Sequence, residues 1–174
     1  MDTQFIENRT FDEIAIGDEA RLSRTLTWAD IELFAAMSGD VNPAHVDQEF
    51  AKSDMFHRII AHGMWGGALI STVLGTELPG PGTIYLSQTL NFRHPIGLGD
   101  TVTVTVRATA KDAAKHHVTF ECRIVNQKGQ TVIEGPAEVI APREKIRRKR
   151  VALPQIEVHQ ARESVGRSSD FKAR

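Results

Sequence analysis

The sequence predicts an α+β fold in which one antiparallel sheet wraps around a single buried helix. Two observations carry this expectation. Residues from Gly63 to about Leu78 place Met64, Trp65, Ala68, Leu69, Ile70, Val73 and Leu74 around nearly the whole circumference of a helix. A helix apolar on all sides in a water-exposed chain belongs in a core. Four strand-like segments with turn signals between them then follow. A curled sheet whose strands each give one apolar face to the helix is an economical way to bury it.

In chain order, the first apolar-patterned segment, around Ala20–Leu26, reads as a strand. Thr27 with Asp30 three residues on marks a helix start of the capping-box kind. Ile31, Phe34, Ala35 and Met37 form its expected buried face, and Ser38-Gly39 ends it. The stretch from Gly39 to His45 is expected to be a loop, because Pro43 disfavours a helical conformation at Asn42. A short helix is expected around Gln48–Ser53, ahead of the buried one. In the latter, Gly66, Gly67 and Ala68 leave room for a neighbouring backbone.

The strands begin with Ile84–Phe92, where Ile84, Leu86, Leu90 and Phe92 alternate. Residues 101–106 alternate threonine with Val102, Val104 and Val106. Val118, Phe120, Cys122 and Ile124 share one face of the third strand. The fourth runs from about Gln130 to Ile140, with Pro136 suggesting an edge or a bulge. This arrangement is the hot-dog architecture, expected over residues 1–142.

Charge divides the chain at the same place. Residues 1–142 carry 11 Lys/Arg against 18 Asp/Glu, whereas residues 143–174 carry 10 against 4. The acidic body argues against nucleic-acid binding. Residues 143–174, with the run Arg147-Arg148-Lys149-Arg150, are expected to be an extended basic polar tail or linker. The single Cys122 excludes an internal disulfide framework. No apolar run suits a signal peptide or a membrane span, so a cytoplasmic location without membrane contact is expected.

Two stretches carry the chemistry. One is Ser38-Gly39-Asp40-Val41-Asn42-Pro43-Ala44-His45, and the other is Ala61-His62-Gly63-Met64, with Ser71 two turns further on. A carboxylate and an imidazole on one loop, ahead of a glycine that opens a helix, offer a proton acceptor, a proton donor and an amide for developing negative charge. Asp40 and His45 on one loop can hold a water between them. The Gly63 amide, opening the helix, can meet developing negative charge. The plainer alternatives are that Asp40 caps a turn, His45 is an ordinary loop histidine and His62 packs beside the helix start. Ser71 can bond back to the Gly67 carbonyl, Leu74 can be core, and Cys122 inert core. His116 and His117 would point to opposite faces of a strand, and no spacing suggests zinc. No phosphate-cradling or dinucleotide loop is present, so neither metal nor cofactor is expected.

The aspartate, the Asn-Pro-x-His loop and the later His-Gly-Met, in this order, resemble the MaoC-like, (R)-specific enoyl-CoA hydratase family. Asn91-Phe92-Arg93-His94-Pro95 and Gly99-Asp100 resemble its central strand and turn. The resemblance covers about residues 10–142. It implies Asp40 and His45 as the catalytic pair, Gly63 as the oxyanion contact and Ser71 in support, with Leu74 a candidate lining of the acyl tunnel. It further implies an enoyl-CoA substrate, at least a homodimer, and a possible fusion-type association with a phosphate acyltransferase domain. An acyl-CoA thioesterase of the same fold and a non-catalytic acyl-CoA-binding module are the rival readings, and fold alone does not separate them.

Overall fold

The computed structural model describes residues 4–158. Eight strands and four α-helices follow in the order β1 (Phe5–Glu7), β2 (Glu19–Thr25), α1 (Trp28–Ser38), α2 (Pro43–Val46), α3 (Gln48–Ser53), α4 (Gly63–Thr76), β3 (Ile84–Gln88), β4 (Asn91–Phe92), β5 (Thr101–Asp112), β6 (His117–Asn126), β7 (Thr131–Ile140) and β8 (Arg147–Lys149). The main sheet runs β2-β5-β6-β7-β3, with β4 also on β7, and every pairing is antiparallel. Its inner face wraps α4 in the hot-dog manner. Val102, Val104 and Val106 of β5 and Val118, Phe120, Cys122 and Ile124 of β6 are fully buried against it. Burying a side chain of this size stabilises by about 1.5–3 kcal/mol. Burial also pushes the Cys122 thiol up to about 12, so it stays protonated and unreactive at neutral pH. No helix among the described residues is long and apolar enough to cross a membrane.

The α1 entrance is the expected capping box. Thr27 Oγ1 accepts from the Asp30 N–H at 3.2 Å, and the Asp30 carboxylate accepts from the Thr27 N–H at 2.9 Å. Gly39, at φ +75°, closes the helix with its N–H on the Ala35 carbonyl. Ile31 and Ala35 are buried and Phe34 half-buried, but Met37 is 72% exposed. It lies about 120° round the helix from Ile31, off the buried face.

Other expectations need correction too. The stretch after Gly39 is not loop throughout, since Pro43 starts the short helix α2. Asn42 stays extended, as a residue before proline must, and caps the Ala44 N–H from its side chain at 3.1 Å. Helix α4 is not buried on every side: Met64, Ala68, Ser71, Thr72 and Gly75 share an exposed face. The space at Gly66 is filled by a side chain, not a backbone, because an added Cβ would lie 2.3 Å from Ile133 Cδ1. The segment 84–92 breaks into β3 and β4, and Ile84 and Leu86 on β3, an edge of the sheet among the described residues, are exposed, as is Phe92 on β4. Pro136 is not on an edge strand either, since β7 lies between β6 and β3. It stands where its neighbour is broken, and the Thr89 N–H reaches the Pro136 carbonyl at 2.9 Å. Gly135 allows that approach, because a Cβ there would sit 2.1 Å from the Thr89 carbonyl oxygen.

Beyond Pro142 the chain does not leave the body as an extended tail. It returns along the N-terminus, where β8 pairs with β1. The buried Asn8 holds this return: its Nδ2 donates to the carbonyls of Pro81 and Glu144, and its Oδ1 accepts from the Ile146 N–H. Lys145 adds ion pairs to Glu7 and Glu13. The part of the expected tail from residue 159 onward lies outside the described residues.

Candidate active site

The site forms where α2 and the N-terminus of α4 meet. Capping by Asn42 and the proline start of α2 turn His45 inward, leaving it only 8% exposed. Its Nδ1 lies 2.9 Å from the Ile60 carbonyl. A carbonyl only accepts, so Nδ1 carries the proton and, in the neutral ring, Nε2 keeps a free lone pair. The Ile60 carbonyl is itself fixed. Ile60 bridges to Gly97, Ala61 N–H donates to the Ile96 carbonyl, and Leu98 N–H donates to the Ile59 carbonyl.

Beneath this clamp Arg58 reaches the buried Asp100 at 3.1 Å. Burial opposes ionisation of Asp100, but Gln127, the Gly97 N–H and Arg58 outweigh it and hold the carboxyl below its usual value.

Asp40 is exposed, and its carboxylate accepts from the Asn42 N–H at 3.1 Å. Asp40, His45 and His62 each place a nitrogen or oxygen within 4.8 Å of the others. Linear spacing did not reveal this grouping. The two imidazoles lie close and tilted, with centroids 4.1 Å apart and planes at 37°. Atoms at this spacing leave room for a water between Asp40 and His45 Nε2.

A cavity of about 330 Å³ opens beside His45, lined by His62, Gly63, Phe56, Phe92, Ile96 and Ile133 among others. Gly63 is the first residue of α4, so its N–H has no partner within the helix. A Cβ at position 63 would lie 3.0 Å from the Phe92 ring, so glycine keeps the amide open under that ring. Sequence reasoning missed the two phenylalanines, whose apolar character alone marks them only as core.

The structure therefore brings Asp40, His45 and Gly63 together. It does not bring Ser71 or Leu74 to this cavity. Ser71 is on the exposed face of α4 and Leu74 is 1% exposed in the core, two turns or more from the helix start. The back-bonds to carbonyls four residues earlier are made by Thr72 and Thr76.

The MaoC like domain pattern matches residues 13–129. The chain belongs to the MaoC-like family. Within it, the chain is 47% identical over 134 residues to the (R)-specific enoyl-CoA hydratase of Rhodospirillum rubrum, spanning 76% of this chain and 91% of that one. It is 43% identical over 129 residues to the (R)-specific enoyl-CoA hydratase of Aeromonas caviae, spanning 74% and 96%. The unliganded R-hydratase of Pseudomonas aeruginosa superposes with a TM-score of 0.85 at 42% identity, over 89% of this chain and 99% of that structure. The matched span includes Asp40, His45, His62, Gly63 and Phe92 of the site and stops short of β7 and Ile133.

Proposed function

We propose that this MaoC-like protein is an (R)-specific enoyl-CoA hydratase, with Asp40 and His45 as its catalytic pair. The observation that carries the reading is the placement of a free His45 Nε2 and the Asp40 carboxylate beside an apolar cavity that ends at an unpartnered helix N–H. The acyl group lies in the cavity and the thioester oxygen meets the Gly63 amide at the positive end of α4. Water held by Asp40 and His45 adds its oxygen to the β-carbon. Its proton passes to the pair and on to the α-carbon, so the pair ends as it began.

The test offers a short trans-2-enoyl-CoA and follows two signals together. Loss of the conjugated double bond without free thiol, with the (R)-3-hydroxyacyl-CoA as product, is the expected result. Release of thiol would mark a thioesterase, and binding without either change a non-catalytic module; both would overturn the reading.

The working unit we infer is a homodimer. Phe92 lies against Gly63 and Leu90 against Gly67, so the exposed face of α4 runs on into β4 and then the edge strand β3. Met64, Tyr85, Leu86 and Phe92 make this surface apolar. Apolar patches and unpaired edges of this kind call for a partner, and a second copy covers both at once. Such packing would also cover Ser71. Light scattering should give twice the chain mass, and a monomer with full activity would refute the assignment.

A further inference from the structure

We propose that His62 is a positioning residue that holds Asp40 in register with His45. It rests on the reading of Asp40 and His45 as the catalytic pair. His62 is 2% exposed and stands at the N-cap of α4, yet its side chain does not cap that helix. Its Nε2–H instead donates to the backbone carbonyl of Asp40, 22 residues upstream, at 3.0 Å. Its ring stacks on Phe34 at 4.8 Å and lies 4.1 Å from the ring of His45. His62 thus touches both members of the pair, one through the backbone and the other through the ring face.

Packing alone does not explain a histidine here. His62 Nδ1 is buried without a hydrogen-bond partner. Leaving such an atom unsatisfied costs as much as one neutral hydrogen bond returns, or more, so an apolar ring would fill the slot at least as well. What the imidazole adds is the Nε2–H tether. Asp40 needs one, because its side chain is exposed and the Asn42 N–H that holds its carboxylate belongs to the same loop. Without the tether the carboxylate drifts away from the water it shares with His45. Displacement of a reacting group by about 1 Å can cost on the order of 10²-fold in rate.

Two variants separate the tether from the ring. His62→Phe keeps an aromatic ring and removes the donor, whereas His62→Gln removes the ring and keeps an N–H at the reach of Nε2. His62→Phe is expected to lower kcat by roughly 10-fold or more with KM within about twofold, and His62→Gln to restore most of that loss. If the Phe variant fails to fold on thermal melting, His62→Met fills the slot without a donor and carries the same expectation. Added to Asp40→Asn, the loss of the donor should slow turnover no further, because both changes act on one carboxylate. Unchanged kcat in a folded donor-less variant, an equal loss in His62→Gln, or losses that multiply with Asp40→Asn would each overturn the role. Failure of the underlying reading looks different: Asp40→Asn alone would then keep near-normal kcat, and the role given to His62 would fall with it.

Discussion

His45 has only one nitrogen with which to accept a proton, since Nδ1–H is committed to the Ile60 carbonyl. Asp40 lies within 4.8 Å, its exposed carboxylate held by the Asn42 N–H. If the two share a water, Asp40→Asn and His45→Gln should each lower kcat by roughly 10²-fold or more, as expected for loss of a positioned acid–base group. KM should move far less, since neither side chain is assigned to the CoA moiety. The double variant should be little slower than either single one, because residues acting as a unit fail together. Steady-state kinetics on the three folded variants checks this.

Asp100 offers a stability counterpart. Its carboxyl is held below the usual value in the folded chain. Its contribution is therefore full above the unfolded value near 3.8 and is lost as pH falls through the lower folded value. Asp100→Ala, which strands Arg58 and Gln127, should cost about 1–3 kcal/mol at neutral pH by denaturant unfolding, with the gap to wild type closing in acid.

At the scale of elements, α1 depends on its entrance. Thr27 and Asp30 satisfy each other's backbone N–H, and Arg24 adds an ion pair to Asp30. Thr27→Ala should cost about 1 kcal/mol, read as a lower melting temperature with unchanged KM. This helix was legible in the sequence because a capping box is a local device written within four residues. The β5 and β6 faces were legible for the same reason, since alternation needs no knowledge of neighbours. The start of α2 was not. The rule that proline bars a helix acts on Asn42, the residue before it, while Pro43 itself suits the first helical turn, so one proline is compatible with a loop and with a helix start. The break between β3 and β4 was hidden too, because it answers to Gly135 and Pro136 on β7, more than forty residues away.

For the whole molecule, the return of the chain beyond Pro142 decides how the N-terminus is held. Asn8 is 1% exposed and takes its partners from Glu144 and Ile146 as well as Pro81. Truncation after Pro142 removes β8 and strands this buried amide, so it should destabilise the chain by about 1–3 kcal/mol or more. Truncation after Val158 should leave these contacts and the melting temperature unchanged. Thermal melting of both truncations tests the assignment, and equal stability of the two would refute it.

Composition and periodicity determined the α+β class and the buried helix with its sheet, because steric preference and burial act over short stretches of chain, whereas the pairing of Asp40 with His45 came from the family resemblance of the loop that carries them. Tertiary structure alone decided that His62 meets Asp40, that Ile60 sets the tautomer of His45, which face of α4 is left uncovered, and that β8 lies on β1. Each of these depends on distant segments closing on one another, and the free energy of that closure comes from the whole core rather than from any pattern within the segments.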